Sequence, residues 1–212
     1  MLHEAELWRY PVKSMAGERL ERAVMTADGV EGDRLVHVRG PRGVLTSRTK
    51  PKLLGLHGTL GADGVARVDG LPWDAPASVA AIRAAAGPDA EPVFFDGLER
   101  FDILPLLVAT DGAIAAFGRD GRRLRPNIVI GGVEGLAERA WEGRSLRVGD
   151  VVIRLETLRG RCVMTTFDPD TQEQDADVLR DINARFGGTL ALNADVEVGG
   201  LVAVGDPVVL GD

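Results

Sequence analysis

The chain has 212 residues, 45% hydrophobic and 27% charged, a balance that supports a packed core in one larger domain or two small ones. A formal net charge of −7 argues against a general partner for nucleic acid or an anionic membrane, because polyanions repel such a surface. The single cysteine excludes an intramolecular disulfide and any paired-cysteine metal or redox motif.

From the N-terminus, MLHEAELWRYPVKS interrupts its apolar residues with Glu4 and Glu6, so no signal peptide is expected. No stretch reaches the roughly 18 uncharged apolar residues of a membrane helix. These features, with the lone cysteine, point to a cytoplasmic protein. AELWRY (5–10), ERLERAVM (18–25), RLVHVR (34–39) and KLLGLHGTL (52–60) read as short strands, and VARVDGLPW (65–73) adds another. ADGVEGDR, RGPRG, KPK and GADG between them are turn chemistry, so a meandering antiparallel sheet or partly closed barrel is expected. APASVAAIRAAAGP then predicts a helix with Ser78 as N-cap and Gly87–Pro88 as its stop. Residues 87–102 read as a loop with a short apolar run inside, and a domain boundary falls near residue 90.

The second half opens with ILPLLVAT, a buried strand. TDGAIAAFG predicts a short helix capped by Thr110 and ended by Gly118, with Ile114 and Phe117 on one face. NIVIGG is a strand, and RSLRVGDVVIRLETL is a turn feeding a long strand. DADVLRDINARFGG is the clearest helix: Asp175 can cap it, Val178, Leu179, Ile182 and Phe186 share a face, and Gly187 ends it. The remaining TLALNADVEVGGLVAVGDPVVLG reads as two or three strands with glycine turns.

The familiar phosphate-loop, dinucleotide, nucleophile-elbow and zinc-helix motifs are absent, and His3, His37 and His57 lack paired-ligand spacing. DPDTQEQD lacks the glycine and distal glutamate of a calcium loop and reads as a proline-nucleated turn. Cys162 has two readings. It is either a small buried apolar residue or a thiolate favoured by neighbouring Arg159 and Arg161 and suited to a soft metal. In an extended segment both arginines would point away from the sulfur, so their field acts only if the backbone turns there. Lys13, Arg34, Arg48, Lys50, Arg122, Arg123 and Arg125 sit beside turns. They are either solvated loop charges or a convergent anion site, with the hydroxyl of Ser14 and the amide of Asn127 close by in sequence.

YPVKSMAGE, TADGVEGDR, GVLTSRTKPKL, LRPNIVI, RCVMTTFDPDT and the closing VGDPVVL together resemble the MOSC domain family, named for the C-terminal domain of molybdenum-cofactor sulfurases. The resemblance runs from about residue 6 to 210 and is nearest the amidoxime- and hydroxylaminopurine-reducing branch. It implies a mixed, β-rich α+β fold, with an N-terminal β-barrel-like subdomain (1–90) packed on a MOSC β-barrel domain (91–212) carrying a few short helices. It implies a molybdenum cofactor whose metal is ligated by Cys162. Lys13, Ser14, Arg34, Arg48, Arg125, Asn127 and Arg161 would hold its phosphate or pterin, and Thr110 would supply a hydroxyl. Two positions depart from the family pattern: Met15, expected to alter the lip of the pocket, and Gln172, where glycine is usual. No ferredoxin-like domain follows, so electrons would come from a separate ferredoxin- or flavin-type protein. The function implied is reduction of N-oxygenated small molecules. A sulfur carrier with a persulfide on Cys162, or a C–S cleaving enzyme on the same fold, are the alternatives.

Overall fold

The structure, a computed structural model, describes residues 1–94 and 100–212, so residues 95–99 of the expected loop lie outside it. Its strands are β1 (His3–Arg9), β2 (Glu18–Leu20), β3 (Arg22–Thr26), β4 (Gly29–Val30), β5 (Val36–Gly40), β6 (Gly43–Leu45), β7 (Gly58–Leu60), β8 (Ala66–Val68), β9 (Leu71–Pro72) and β10 (Glu91–Phe94) in the first half. The second half supplies β11 (Leu106–Thr110), β12 (Ile128–Gly131), β13 (Ser145–Val148), β14 (Val151–Gly160), β15 (Thr189–Val198), β16 (Gly200–Ala203) and β17 (Val208–Leu210). The helices are α1 (Pro76–Ala86), α2 (Asp111–Phe117) and α3 (Asp177–Phe186). This is the expected β-rich α+β class.

Eight strands form the main sheet, in the order β17-β13-β14-β15-β11-β12-β1-β2. β11 and β12 pair in parallel, joined through α2, and every residue of both is buried. That is why LLVAT and IVIG are continuous apolar runs: strands covered on both faces have no need of polar alternation. β1 lies antiparallel between β12 and β2, with Leu7 opposite both Ile128 and Leu20. An N-terminal strand thus completes a sheet built mostly by the second half. Leu7, Met25 and Val30 enter the same core as Ile128, Ile130, Leu146, Ile153 and Leu192.

Three smaller sheets, β10-β5-β6, β16-β3-β4 and β7-β8-β9, flank it. A second core in the first half gathers Val12, Met15, Val36, Val38, Leu53, Val68 and Ile82. Met15 is fully buried there, so it does not form a cavity lip. A third core packs Phe117 and Leu124 against Val178, Ile182 and Phe186 of α3; Leu179, expected on the same face, is half-buried and lies outside that core.

Some elements differ from their sequence reading. PKLLG is a 3₁₀ turn (Pro51–Gly55), because Pro51 fixes its first position and Leu53 and Leu54 bury inward; of the expected strand only Gly58–Leu60 forms. The apolar run after residue 90 is β10, paired with β5. Ser78 does not cap α1. The helix begins one residue after Ala75 with Pro76 pre-setting its first turn, and Ser78 lies buried within it. Thr110 caps α2 as read, its Oγ1 accepting the Ala113 N–H at 3.1 Å, and Gly118 closes the helix in the left-handed region. Asp175 lies two residues before the start of α3, where Ala176 holds the cap position, yet its carboxylate accepts the Asp177 N–H at 3.0 Å.

Candidate functional site

The pairing of β14 with β15 slips between Leu158 and Gly160, and β14 ends there. The chain then passes through Arg161 and Cys162 into a 3₁₀ turn, Val163–Thr166. The Cys162 carbonyl starts that turn, accepting the Thr165 N–H (3.0 Å) and the Thr165 hydroxyl (2.8 Å). The backbone at Cys162 is still extended (φ −132°, ψ −179°), and Arg159, Arg161 and Cys162 all line one cavity of about 360 Å³. Cys162 is partly exposed to it, not sealed in apolar packing.

Residues far away in sequence complete the lining: Arg34 after β4, Arg48 after β6, Asp102 and Leu104 on the approach to β11, and Arg123 and Arg125 before β12. Six guanidinium groups therefore border the cavity, and Asp102 is the carboxylate among its lining residues. Asp102 accepts from Lys13 (3.0 Å), Arg48 (3.1 Å) and Arg159 (3.5 Å). Burial alone would raise its pKa, but Lys13, Arg48 and Arg159 outweigh that and hold it below the usual carboxylate range.

The arginines carry more positive charge than their surroundings neutralise. Arg161 is pushed down to about 10 by burial and then by Arg159, which leaves it charged at neutral pH. One of its terminal nitrogens donates to the Leu124 carbonyl (2.8 Å), while its buried Nε has no partner among the described residues. Arg159 is likewise lowered, chiefly by burial. Arg125 lies 4.2 Å over the Tyr10 ring, and no hydrogen bond or ion pair engages its guanidinium among the described residues. Guanidinium groups with unpartnered donors around one cavity provide the electrostatics of an anion site. Ser14, Arg34 and Arg125 hold positive φ angles of 73°, 51° and 57°, so three motif residues sit in left-handed backbone.

The expected site residues divide into two layers. Cys162, Arg34, Arg48, Arg125 and Arg161 line the cavity together. Lys13 reaches it through Asp102 and also donates to the Arg100 carbonyl (3.1 Å). Ser14 is buried and is not among the lining residues. Asn127 stands behind the wall, fully buried. Its Oδ1 accepts the Leu107 N–H (3.2 Å), and its Nδ2 donates to Asp33 (3.3 Å) and the Trp8 carbonyl (3.4 Å). Thr110 is not brought to the cavity; besides capping α2, its hydroxyl meets the buried Glu138 carboxylate at 3.3 Å.

Among the polar lining residues, Asp102 and Asn193 were not singled out in the sequence reading, and Arg123 and Arg159 were named only as candidate cations without a role toward phosphate or pterin. Arg159 had a signal, as a cation beside the sole cysteine, and Arg123 had one in the basic run before Pro126. Asp102 had none, because its role depends on cations that only the fold assembles. Asp33 was also missed as a pin. It accepts the Tyr10 N–H (2.6 Å) and pairs with Arg34, and burial raises its pKa against those contacts. Among the described residues no cluster of three or more His, Cys, Asp or Glu could cage a bare metal ion, and no helix is long and apolar enough to cross a membrane.

Comparison with known proteins finds two matching family models. The MOSC domain model matches residues 114–209, and the model of the MOSC N-terminal beta barrel domain matches residues 1–89. Human mitochondrial amidoxime reducing component 2 is 29% identical over 126 residues, covering 50% of this chain and 37% of that protein. Human mitochondrial amidoxime-reducing component 1 is 33% identical over 82 residues, covering 36% of this chain and 24% of that protein. The chain therefore spans only a minor part of the length of these relatives. The crystal structure of the YUAD protein from Bacillus subtilis shares the fold, with a TM-score of 0.53 at 14% identity over 100% of this chain and 97% of that one. With one model matching each half of its sequence, the chain belongs to the MOSC domain family and is related to the amidoxime reducing components.

Proposed function

We propose that this protein binds the molybdenum cofactor in the cationic cavity and reduces N-oxygenated small molecules with electrons from a separate ferredoxin- or flavin-type protein. The observation that carries this reading is the convergence of the single cysteine and six arginines on one cavity. The donor set fits the group. A lone soft sulfur suits a metal that arrives with its other donors on an organic ligand, and the orphaned Arg161 Nε and unpaired Arg125 suit a phosphate. Cys162 would ligate the metal. Arg34, Arg48, Arg125 and Arg161 would hold the phosphate and pterin, with Lys13 acting beside Asp102 and with Ser14 and Asn127 positioning the wall. When bound, the cofactor supplies a redox-active Lewis-acid centre.

In the overall reaction the N–O bond breaks and its oxygen leaves as water, which consumes two electrons and two protons. The protein's own part is to bind and orient. Asp102 stays ionised and shared among three cations, so it is a poor proton donor at neutral pH and serves to position Lys13, Arg48 and Arg159. The relatives named as amidoxime reducing components support the choice of N-oxygenated substrates. A cytoplasmic setting belongs to the same proposal.

Elemental analysis of protein purified from a host that makes the cofactor tests the reading. Stoichiometric molybdenum is expected, and it should be lost in Cys162→Ala. A metal-free protein carrying one extra sulfur on Cys162 would instead establish the sulfur-carrier alternative.

A further inference from the structure

A second cavity of about 240 Å³ adjoins the first, and Arg123, Arg125 and Met164 line both. Three aromatic rings also line it: Trp8 in β1, Tyr10 just after it, and Phe167 at the end of the 3₁₀ turn that begins beyond Cys162; Leu54 and Pro169 add apolar surface, and His57, Arg122 and Asp170 add polar groups. The polar ends of two of these rings are committed elsewhere. The Trp8 Nε1–H donates to Glu6 (2.7 Å), and the Tyr10 hydroxyl donates to the Pro126 carbonyl (3.1 Å). What they offer the cavity is ring surface.

Most of its cations are committed as well. Arg122 is clamped by Asp120 and Asp170. Arg123 donates to Asp168 (2.9 Å) and to the Thr165 carbonyl (3.3 Å). Arg125 differs, because its guanidinium rests on the Tyr10 face with no acceptor among the described residues. Arg125 is half-buried, and its five N–H donors in a planar fork match a carboxylate.

We propose that this second cavity binds a flat aromatic carboxylate, its ring among Trp8, Tyr10 and Phe167 and its carboxylate on Arg125. The size agrees, since about 150 Å³ of apolar cavity accepts a benzene ring and the remainder leaves room for the charged group. The charge agrees, since one uncommitted guanidinium matches one negative charge. A more highly charged anion finds more cations in the first cavity and partitions there. Arg125 borders both cavities and carries donors on two edges, so a ligand on each side can share it. The inference rests on the second cavity alone and does not need a cofactor in the first.

Isothermal titration of the protein as isolated with benzoate, benzamide and cyclohexanecarboxylate, with and without inorganic phosphate, tests it. Benzoate should bind at least about tenfold tighter than benzamide, because the charge is recognised. It should bind roughly three- to tenfold tighter than cyclohexanecarboxylate, because the ring is recognised. Arg125→Met should reduce benzoate to the benzamide level, and Phe167→Leu should narrow the gap to the saturated acid. The comparison of ligands on the unaltered protein stands even if a variant fails to fold. Equal affinity for benzoate and cyclohexanecarboxylate, unchanged benzoate affinity in folded Arg125→Met, or no benzoate binding at millimolar concentration overturns the proposal. A protein without molybdenum that still discriminates benzoate in this way keeps this inference and loses the cofactor reading.

Discussion

Asp102 holds Lys13, Arg48 and Arg159 at the edge of a cavity whose other charged lining groups are cations. Replacing it with asparagine removes the negative charge facing an incoming anion while keeping a polar side chain. Asp102→Asn should therefore bind inorganic pyrophosphate several-fold more tightly in calorimetric titration, by roughly the energy of one screened charge pair. Looser binding would mean that its role in placing the three cations outweighs its charge. Glu4 is a separate case, away from the cavity. It is fully buried, neither carboxylate oxygen has a partner among the described residues, and its pKa is raised to about 8 by burial and then by Asp206. The folded protein keeps a proton that the unfolded chain releases near its ordinary value. This contribution to stability is complete below Glu4's ordinary value of about 4.5 and is lost progressively as the pH rises from there through about 8. Glu4→Gln should flatten that dependence and raise stability most on the alkaline side, measured by denaturant melts at about pH 5 and pH 9. The sequence marked Cys162 and the basic residues as candidates because a lone sulfur and cations in an acidic chain stand out. It could not mark Glu4 or Asp102, since nothing local separates a buried acid from a solvated one.

At the level of elements, the legible parts were those whose local signals agree. In α3 the spacing of Val178, Ile182 and Phe186, the carboxylate of Asp175 and the glycine at 187 all point the same way, and each does what its position implies. KLLGL was ambiguous because a short apolar run after proline fits a strand and a 3₁₀ turn equally well, and tertiary burial of Leu53 decides. α2 has only seven residues and depends on its ends. Thr110→Val removes both the cap and the hydroxyl facing buried Glu138, so it should cost about 1–2 kcal/mol in thermal or chemical unfolding while leaving phosphate affinity unchanged. A loss of phosphate affinity without loss of stability would return Thr110 to the cavity role that the family resemblance implied. Gln172 shows how a departure from the family pattern can be read. It holds φ 57°, a left-handed conformation in which glycine meets no side-chain clash. Gln172→Gly should relieve about 1 kcal/mol of backbone cost. The loss of its hydrogen bonds to the Pro169 and Asp170 carbonyls sets the opposing term, and the balance is read from the shift in melting midpoint.

Across the whole molecule, the alternation of short strands and turns conveyed the class but not the stitching between halves. β1 is bonded on both sides within the main sheet, Tyr10 reaches Pro126, and Asn127 links Trp8, Asp33 and Leu107. These bonds span long sequence separations, which periodicity cannot report. They predict one cooperative unfolding transition, with calorimetry and tryptophan fluorescence coinciding; two resolved transitions would contradict it. The pairing of β16 with β3, and the bridge between His3 and Pro207, add a consequence for synthesis. As the chain leaves the ribosome, the opening strands emerge long before the segments that cover their edges. Until the residues around 200–207 are free of the exit tunnel, β3 lacks its neighbour, and the nascent chain carries an open edge that chaperones or self-association can reach.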